Sequence, residues 1–360
     1  MKAHGFTLIE WLIAMLIGVF LVGGGLSVFV ASRATTEDAF DQSELQENGR
    51  IAMRLLTQDL KWAGFWGDYT GSPLITASGG VKINTGASLT SSKDCLDERG
   101  QGSLPTSSSL AVRPLWVGWV NDTKAITGGA FACIPIASRV ARTNIISIKR
   151  LIGLSFDISP KPTGTATARA ADATSKISGS NRFYLATTTD SAELFKSGDT
   201  IGSAITASHL WEYQHFIYYV SGGNIPTLRK RYLTVSDGVT NNDDSLSNCS
   251  APNDCSLAIA SGIESLQILL GVDNSLVQDG VIDSYLASQN VTDNEWREGR
   301  VVAVRIFILV RSLQPSNSYV NNNVYQVGDR SIPANGDGFR RLLLETSISL
   351  RNPAVMGGGS

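Results

Sequence analysis

The chain has 360 residues, 42% of them hydrophobic and 17% charged, a balance that describes a folded chain rather than a disordered one. Its formal net charge of −2 excludes a strong bulk electrostatic drive toward nucleic acid. No Walker pattern or phosphate-cradling glycine loop occurs, so any nucleotide-driven work belongs to another protein.

The first element is a short basic leader, Met1 to Gly5, followed by an almost unbroken apolar run from Phe6 to Ala31. Those residues, about 26 of them, would make a helix roughly 39 Å long, enough to cross a hydrocarbon core of roughly 30 Å. Only Glu10 is charged in the run. A charge in a membrane-length helix costs about 2.5–3.5 kcal/mol on insertion scales and usually serves a function. A secretory signal peptide is disfavoured, because its apolar region is shorter and ends in a cleavage site of small residues. A plain single-span anchor would leave Glu10 without a role. Gly23-Gly24-Gly25 weakens the helix by about 1 kcal/mol per residue relative to alanine, which fits either a bend or close packing against another helix.

Gly5-Phe6-Thr7-Leu8-Ile9-Glu10 resembles the cleavage and N-methylation motif of type IV pilins and type II secretion pseudopilins. The resemblance implies that a prepilin peptidase cuts between Gly5 and Phe6 and methylates the new Phe6 amine. After that cut Glu10 stands one helical turn from a positive amine. In a bundle, the carboxylate of one subunit would neutralise the amine of the next and fix their register, since unpaired buried charges are costly. Glu10 is thus expected to act in assembly and not in catalysis.

Residues 34–64 read as a continuation of the same helix. Phe40, Leu45, Ala52, Leu55, Leu56 and Leu60 form an apolar stripe, with Glu37, Asp38, Glu44, Glu47, Arg50, Arg54 and Asp59 on polar faces. Gly64 and Gly67 end it among Trp62, Phe65, Trp66 and Tyr69. Gln46 to Leu56 and Asp59 to Phe65 resemble the corresponding helix of PilW-type minor pilins and, more distantly, of J-type pseudopilins.

Beyond Pro73 strands predominate, with candidates at 110–120, 145–151, 182–187, 214–220, 228–235, 265–271, 300–311 and 341–351. The stretch from His215 through Ser221-Gly-Gly-Asn224 to Val235 reads as a hairpin. Val302, Val304, Ile306, Ile308 and Val310 give one apolar face of a central strand, with Arg305 and Arg311 on a solvated or partly paired face. Polar stretches at 159–181 and 239–254 read as surface loops. Residues 264–273, 302–312 and 339–352 again resemble late strands of PilW-type proteins. The expected architecture is α+β, a pilin fold: leader 1–5, membrane and filament-core helix 6–31, amphipathic continuation 32–67, β-rich head 68–353 and tail 354–360.

Cys95, Cys133, Cys249 and Cys255 all follow the membrane segment. An even count on an extracytoplasmic side favours disulfides over a zinc site, which would want shorter spacings. Four cysteines allow three connectivities; the simplest joins Cys249 to Cys255 across a short loop and leaves Cys95 with Cys133. His209 and His215 come without a nucleophile or metal-ligand spacing and read as ordinary sheet-edge histidines, so the chain is read as a non-enzyme without a cofactor. Asp273, Asp279 and Asp283 faintly suggest a calcium loop, but their spacing is not that of an EF-hand and a polar turn is the preferred reading.

The resemblance to PilW-type minor pilins implies a low-abundance subunit that primes assembly of a type IV pilus and sits at or near its tip. Motility, adhesion or DNA uptake would be the process served. Its implied partners are the prepilin peptidase, other minor pilins, the major pilin and an adhesin-like tip protein, with no direct nucleic-acid site. Before assembly the chain would lie in the inner membrane with its head in the periplasm, and afterwards in the pilus at the cell surface. The alternatives are a J-type pseudopilin of type II secretion and, from another class, a membrane-anchored periplasmic binding module or enzyme.

Overall fold

The computed structural model describes residues 7–70, 74, 80–84, 102–105, 112–127, 131, 134–157, 175, 182–199, 209–233, 256–334, 336–350 and 352. One helix, α1 (Leu8–Lys61), runs unbroken through the membrane-length segment and its amphipathic continuation. Its 54 residues give a rod about 81 Å long. The helix passes straight through Gly23-Gly24-Gly25, and Ser27 satisfies its hydroxyl by donating to the Gly24 carbonyl at 2.8 Å. Gly64 and Gly67, both at positive φ, turn the chain away just after its end.

The head contains two large sheets and a small one. The larger sheet is built from β1 (Val81–Ile83), β2 (Leu115–Val120), β3 (Ile126–Thr127), β4 (Asn144–Asp157), β5 (Phe183–Thr187), β6 (Ala192–Lys196), β7 (His209–Ser221), β8 (Thr227–Tyr232) and β9 (Leu257–Ser261). Its order is β1-β6-β5-β7-β4-β2-β3. The 13-residue β7 organises it: one edge pairs with β4, while the other pairs first with β5 and then with β8. The β7–β8 hairpin lies where the sequence predicts it. All pairings in this sheet are antiparallel except β1 with β6.

The second sheet has the order β11-β10-β12-β15, from β10 (Ile263–Val272), β11 (Ser284–Ala287), β12 (Val301–Arg311) and β15 (Arg341–Ser349). A two-stranded ribbon, β13 (Val324–Val327) and β14 (Arg330–Pro333), lies on it, and a short helix α2 (Asp293–Arg297) precedes β12. As predicted, β12 is central. However, its outer face is not simply wet: Phe307 and Leu309 pack with Val327 of the ribbon. A register shift near Val272 also brings Val301, instead of Val302, into line with Val304, Ile306, Ile308 and Val310 on the inner face.

The main core fills the space between the sheets. Leu266, Ile268 and Leu270 of β10 and the inner face of β12 meet Ile146, Ile148, Phe216 and Tyr218 of the larger sheet. Leu45, Ala52, Leu56 and Leu60 of α1 close the same core. Asn144 bridges the sheets at one point: its amide donates to the Gly118 carbonyl at 3.2 Å and its carbonyl accepts the Ile268 N–H at 2.8 Å.

Two helix residues differ from the amphipathic reading. Phe40 is 71% exposed and lies off the docked stripe, whereas Asp59 is buried on it. Gly49 permits the close approach of α1 to the second sheet. A Cβ there would overlap the Leu344 side chain and lie 3.1 Å from Val310 Cγ2. Alanine would gain about 1 kcal/mol of helix propensity at this position. Overpacking typically costs about 1–3 kcal/mol, so we expect Gly49→Ala to lower stability by about 1 kcal/mol net. Chemical denaturation of the detergent-solubilised chain checks this; a stabilised variant would show that the contact is loose.

Candidate functional site

The exposed half of α1 is the most distinctive surface. From Leu8 to Val30 the large apolar side chains are each more than half exposed. A contiguous apolar surface of that extent requires a bilayer or partner helices around it. The helix meets the head at Asp38, whose carboxylate accepts from Arg340 at 2.5 Å. From there to its end α1 is docked, so the two halves face different surroundings.

Glu10 lies in the first turn of the exposed half. Thr7 is the N-cap, and its Oγ accepts the Glu10 N–H at 3.4 Å. The Glu10 carboxylate accepts in return from the Thr7 N–H at 2.9 Å and the Thr7 hydroxyl at 3.0 Å. This reciprocal capping box starts the helix and turns the carboxylate back onto Thr7. Gly5 and Phe6 themselves lie outside the described residues, as do Cys95, Cys133, Cys249 and Cys255 and the loops at 159–174, 176–181 and 239–254.

Where α1 ends on the larger sheet, it is fastened by a buried charge cluster. Asp59 accepts from Arg150 at 2.9 Å, from Lys230 at 2.8 Å and from the Tyr218 hydroxyl. Lys230 also lies 3.5 Å from the centroid of the Phe216 ring. Burial pulls the Lys230 ammonium below its ordinary range against the opposing attraction of Asp59. Burial and Asp59 together push the Tyr218 phenol up. An acid falling on the apolar stripe, three residues after Leu56, was the available signal for this cluster.

The two histidines do not form a common site. His209 Nδ1 lies 3.0 Å from Asp68, which also accepts from Thr187 and, at 3.4 Å, from Trp211 Nε1. Burial alone would raise the Asp68 carboxyl, but its Thr187 and His209 partners hold it below the usual range. His215 is not an edge residue: it is fully buried on β7, between Ser103 Oγ and Ser147 Oγ, each 2.7 Å from one ring nitrogen. Burial first, and the nearby Lys149 charge second, push its pKa well below the ordinary histidine value.

Asp273, Asp279 and Asp283 belong to a tightly fastened turn. Asp273 accepts the N–H groups of Ser275, Asp279 and Gly280 at 3.0, 2.9 and 2.8 Å, while Asp283 accepts that of Asn274 at 2.7 Å. Arg300 clamps the same turn through the Asp273 and Ser275 carbonyls. Burial would raise the Asp273 carboxyl, but its N–H donors outweigh that and hold it low. Its oxygens thus fasten backbone. Leu276, Val277 and Val281 project from this turn into solvent.

Residues 217–352 match the family of type IV pilus-assembly protein W, and residues 1–26 match the prokaryotic N-terminal methylation motif. The pilin-like protein PilA3 of Thermus thermophilus is 38% identical over 65 residues, which cover 18% of this chain and 28% of that relative's length. No solved structure matches the chain. With the methylation motif at one end, the PilW region at the other and the long helix between them, the chain is similar to type IV pilus minor pilins of the PilW type.

Proposed function

We propose that the chain helps to prime assembly of a type IV pilus and takes a place at or near its tip, in support of motility, adhesion or DNA uptake. The observation that carries this reading is the division of α1 into an exposed apolar half and a half docked on a large head. Prepilin peptidase cleaves between Gly5 and Phe6 and methylates the Phe6 amine. The exposed half then holds the chain in the inner membrane, with the head in the periplasm, and later joins the helices of other minor pilins and the major pilin. A head built from two sheets is bulkier than a repeating shaft subunit needs, which suits a terminal position beside an adhesin-like tip protein. The four cysteines pair as disulfides in that oxidising space.

Glu10 sets the register by pairing with the amine of a neighbouring subunit, giving up its Thr7 contacts in exchange for a full charge partner. The Glu10→Ala chain should reach the membrane at normal levels yet be severalfold depleted from sheared filaments. Mass spectrometry of the parent chain should find a methylated Phe6 N-terminus. Normal incorporation of Glu10→Ala at native expression would remove the assembly role.

A further inference from the structure

The solvent side of the docked helix carries two unlike faces. Phe40, Glu44 and Glu47, spaced i, i+4, i+7, form an aromatic and acidic face. Arg50, Arg54 and Lys61, spaced i, i+4, i+11, form a basic one nearer the end of α1. All six are exposed, and none of the five charged residues forms an ion pair with a described residue.

The basic face borders a groove of about 620 Å³ between α1 and β15, with Met53, Trp62 and Leu344 among its apolar lining residues. Glu47 and Glu345 also reach the groove; Arg305 matches the charge of Glu345, and Arg50, Arg54 and Lys61 outnumber Glu47, so the groove stays net positive. The groove runs beside the edge of β15, which among the described residues pairs with β12 alone.

From these features we infer that the groove receives the docked-half helix of a neighbouring prepilin-type subunit, one bearing an aromatic residue flanked by carboxylates as this chain does at Phe40, Glu44 and Glu47. The match is twofold: ring against apolar floor, and acids against three basic side chains that outnumber Glu47 in the groove and form no ion pair with a described residue. Both helices continue into apolar segments that share one membrane, so they run parallel. The two faces are centred about 11 residues apart, which sets the neighbour roughly 17 Å farther from the membrane. The groove therefore meets the subunit ahead, and the chain's own Phe40 face is left for the subunit behind. This assignment rests on the pilus reading and gives it a direction.

The test places a photo-cross-linking residue at Gln58, an exposed groove position, in the full-length chain within producing cells. Mass spectrometry should find it joined to the acidic helical stretch of a prepilin-type subunit. Arg54→Glu should lower that product about tenfold or more, equivalent to losing at least about 1.4 kcal/mol, and Arg54→Lys should retain it. Because Arg54 is exposed and pairs with no described residue, the melting temperature of the chain should not change in either variant. Cross-links only to head surfaces or lipid, or a product undiminished by Arg54→Glu, would overturn the groove assignment while the chain remained in filaments. Absence of the chain from sheared filaments would overturn the pilus reading and the groove with it.

Discussion

Replacing Asp59 with asparagine should cost about 3–5 kcal/mol, because two largely buried cations would lose their common counter-charge. Arg150 and Lys230 both approach Asp59 within 3 Å, and all three side chains are at most 17% exposed. Asparagine keeps the size and one acceptor, so the loss reports charge and not volume. Tyr218→Phe should cost less, about 1.5–3 kcal/mol, since it removes one hydrogen bond to a charged group and leaves both cations paired. Thermal unfolding of the detergent-solubilised chain would rank the two. Equal, small losses would mean that water reaches the cluster and screens it.

The effect should also be local to assembly geometry. Asp59 lies in the last turn of α1, and its partners come from β4, β7 and β8, so the cluster fixes how the helix sits on the larger sheet. At the other end of the docked half, Asp38 is held by Arg340, just before β15. Between them Gly49 closes the distance to Leu344. A helix held at three points transmits any force on its membrane half directly into the head.

Much of this frame is legible in the sequence because the signals are long. The apolar run from Phe6 to Ala31 exceeds what a soluble core helix needs, and the six residues around Glu10 have a specific chemistry. Eight strands could be placed because each holds a cluster of large apolar residues, β-branched and aromatic in some and leucine-rich in others. What escaped was short or depended on tertiary partners. The strands β1, β3, β6, β9, β11, β13 and β14 have five residues or fewer, too few for a periodic pattern. The buried outer face of β12 had a signal, since Val301 to Val310 is broken only by Arg305, and a run apolar on both faces marks a strand covered on both sides. Periodicity could have placed Phe40 off the docked stripe, since the five residues to Leu45 put it about 140° around the helix. His215 gave no hint at all: its burial follows from β7 being the hub of the sheet, a property of pairing and not of local sequence.

That histidine carries the second large effect, a loss of stability on mild acidification. In the fold His215 stays neutral, its pKa pushed well down by burial and by Lys149, whereas in the unfolded chain a histidine titrates near 6.5. As pH falls below about 6.5 the unfolded state binds a proton that the folded state refuses, so stability must fall with pH. One proton corresponds to about 1.4 kcal/mol per pH unit, or about 2 kcal/mol between pH 6.5 and 5. The depressed carboxylates Asp68, Asp273 and Asp337 also withdraw stability, but only below their unfolded values near 4. Glu193, raised by burial, acts with the opposite sign. A comparison of the parent with His215→Gln cancels all four, because they are present in both chains. Glutamine retains a donor and an acceptor for Ser103 and Ser147, so the variant should fold at pH 7.5 with a loss of about 1–2 kcal/mol. Below pH 6.5 the two stability curves should converge, the parent falling and the variant staying level apart from the shared groups. Parallel curves down to pH 5 would mean that protonated His215 is accommodated between the two serines, and the buried contact would then have no part in acid sensitivity.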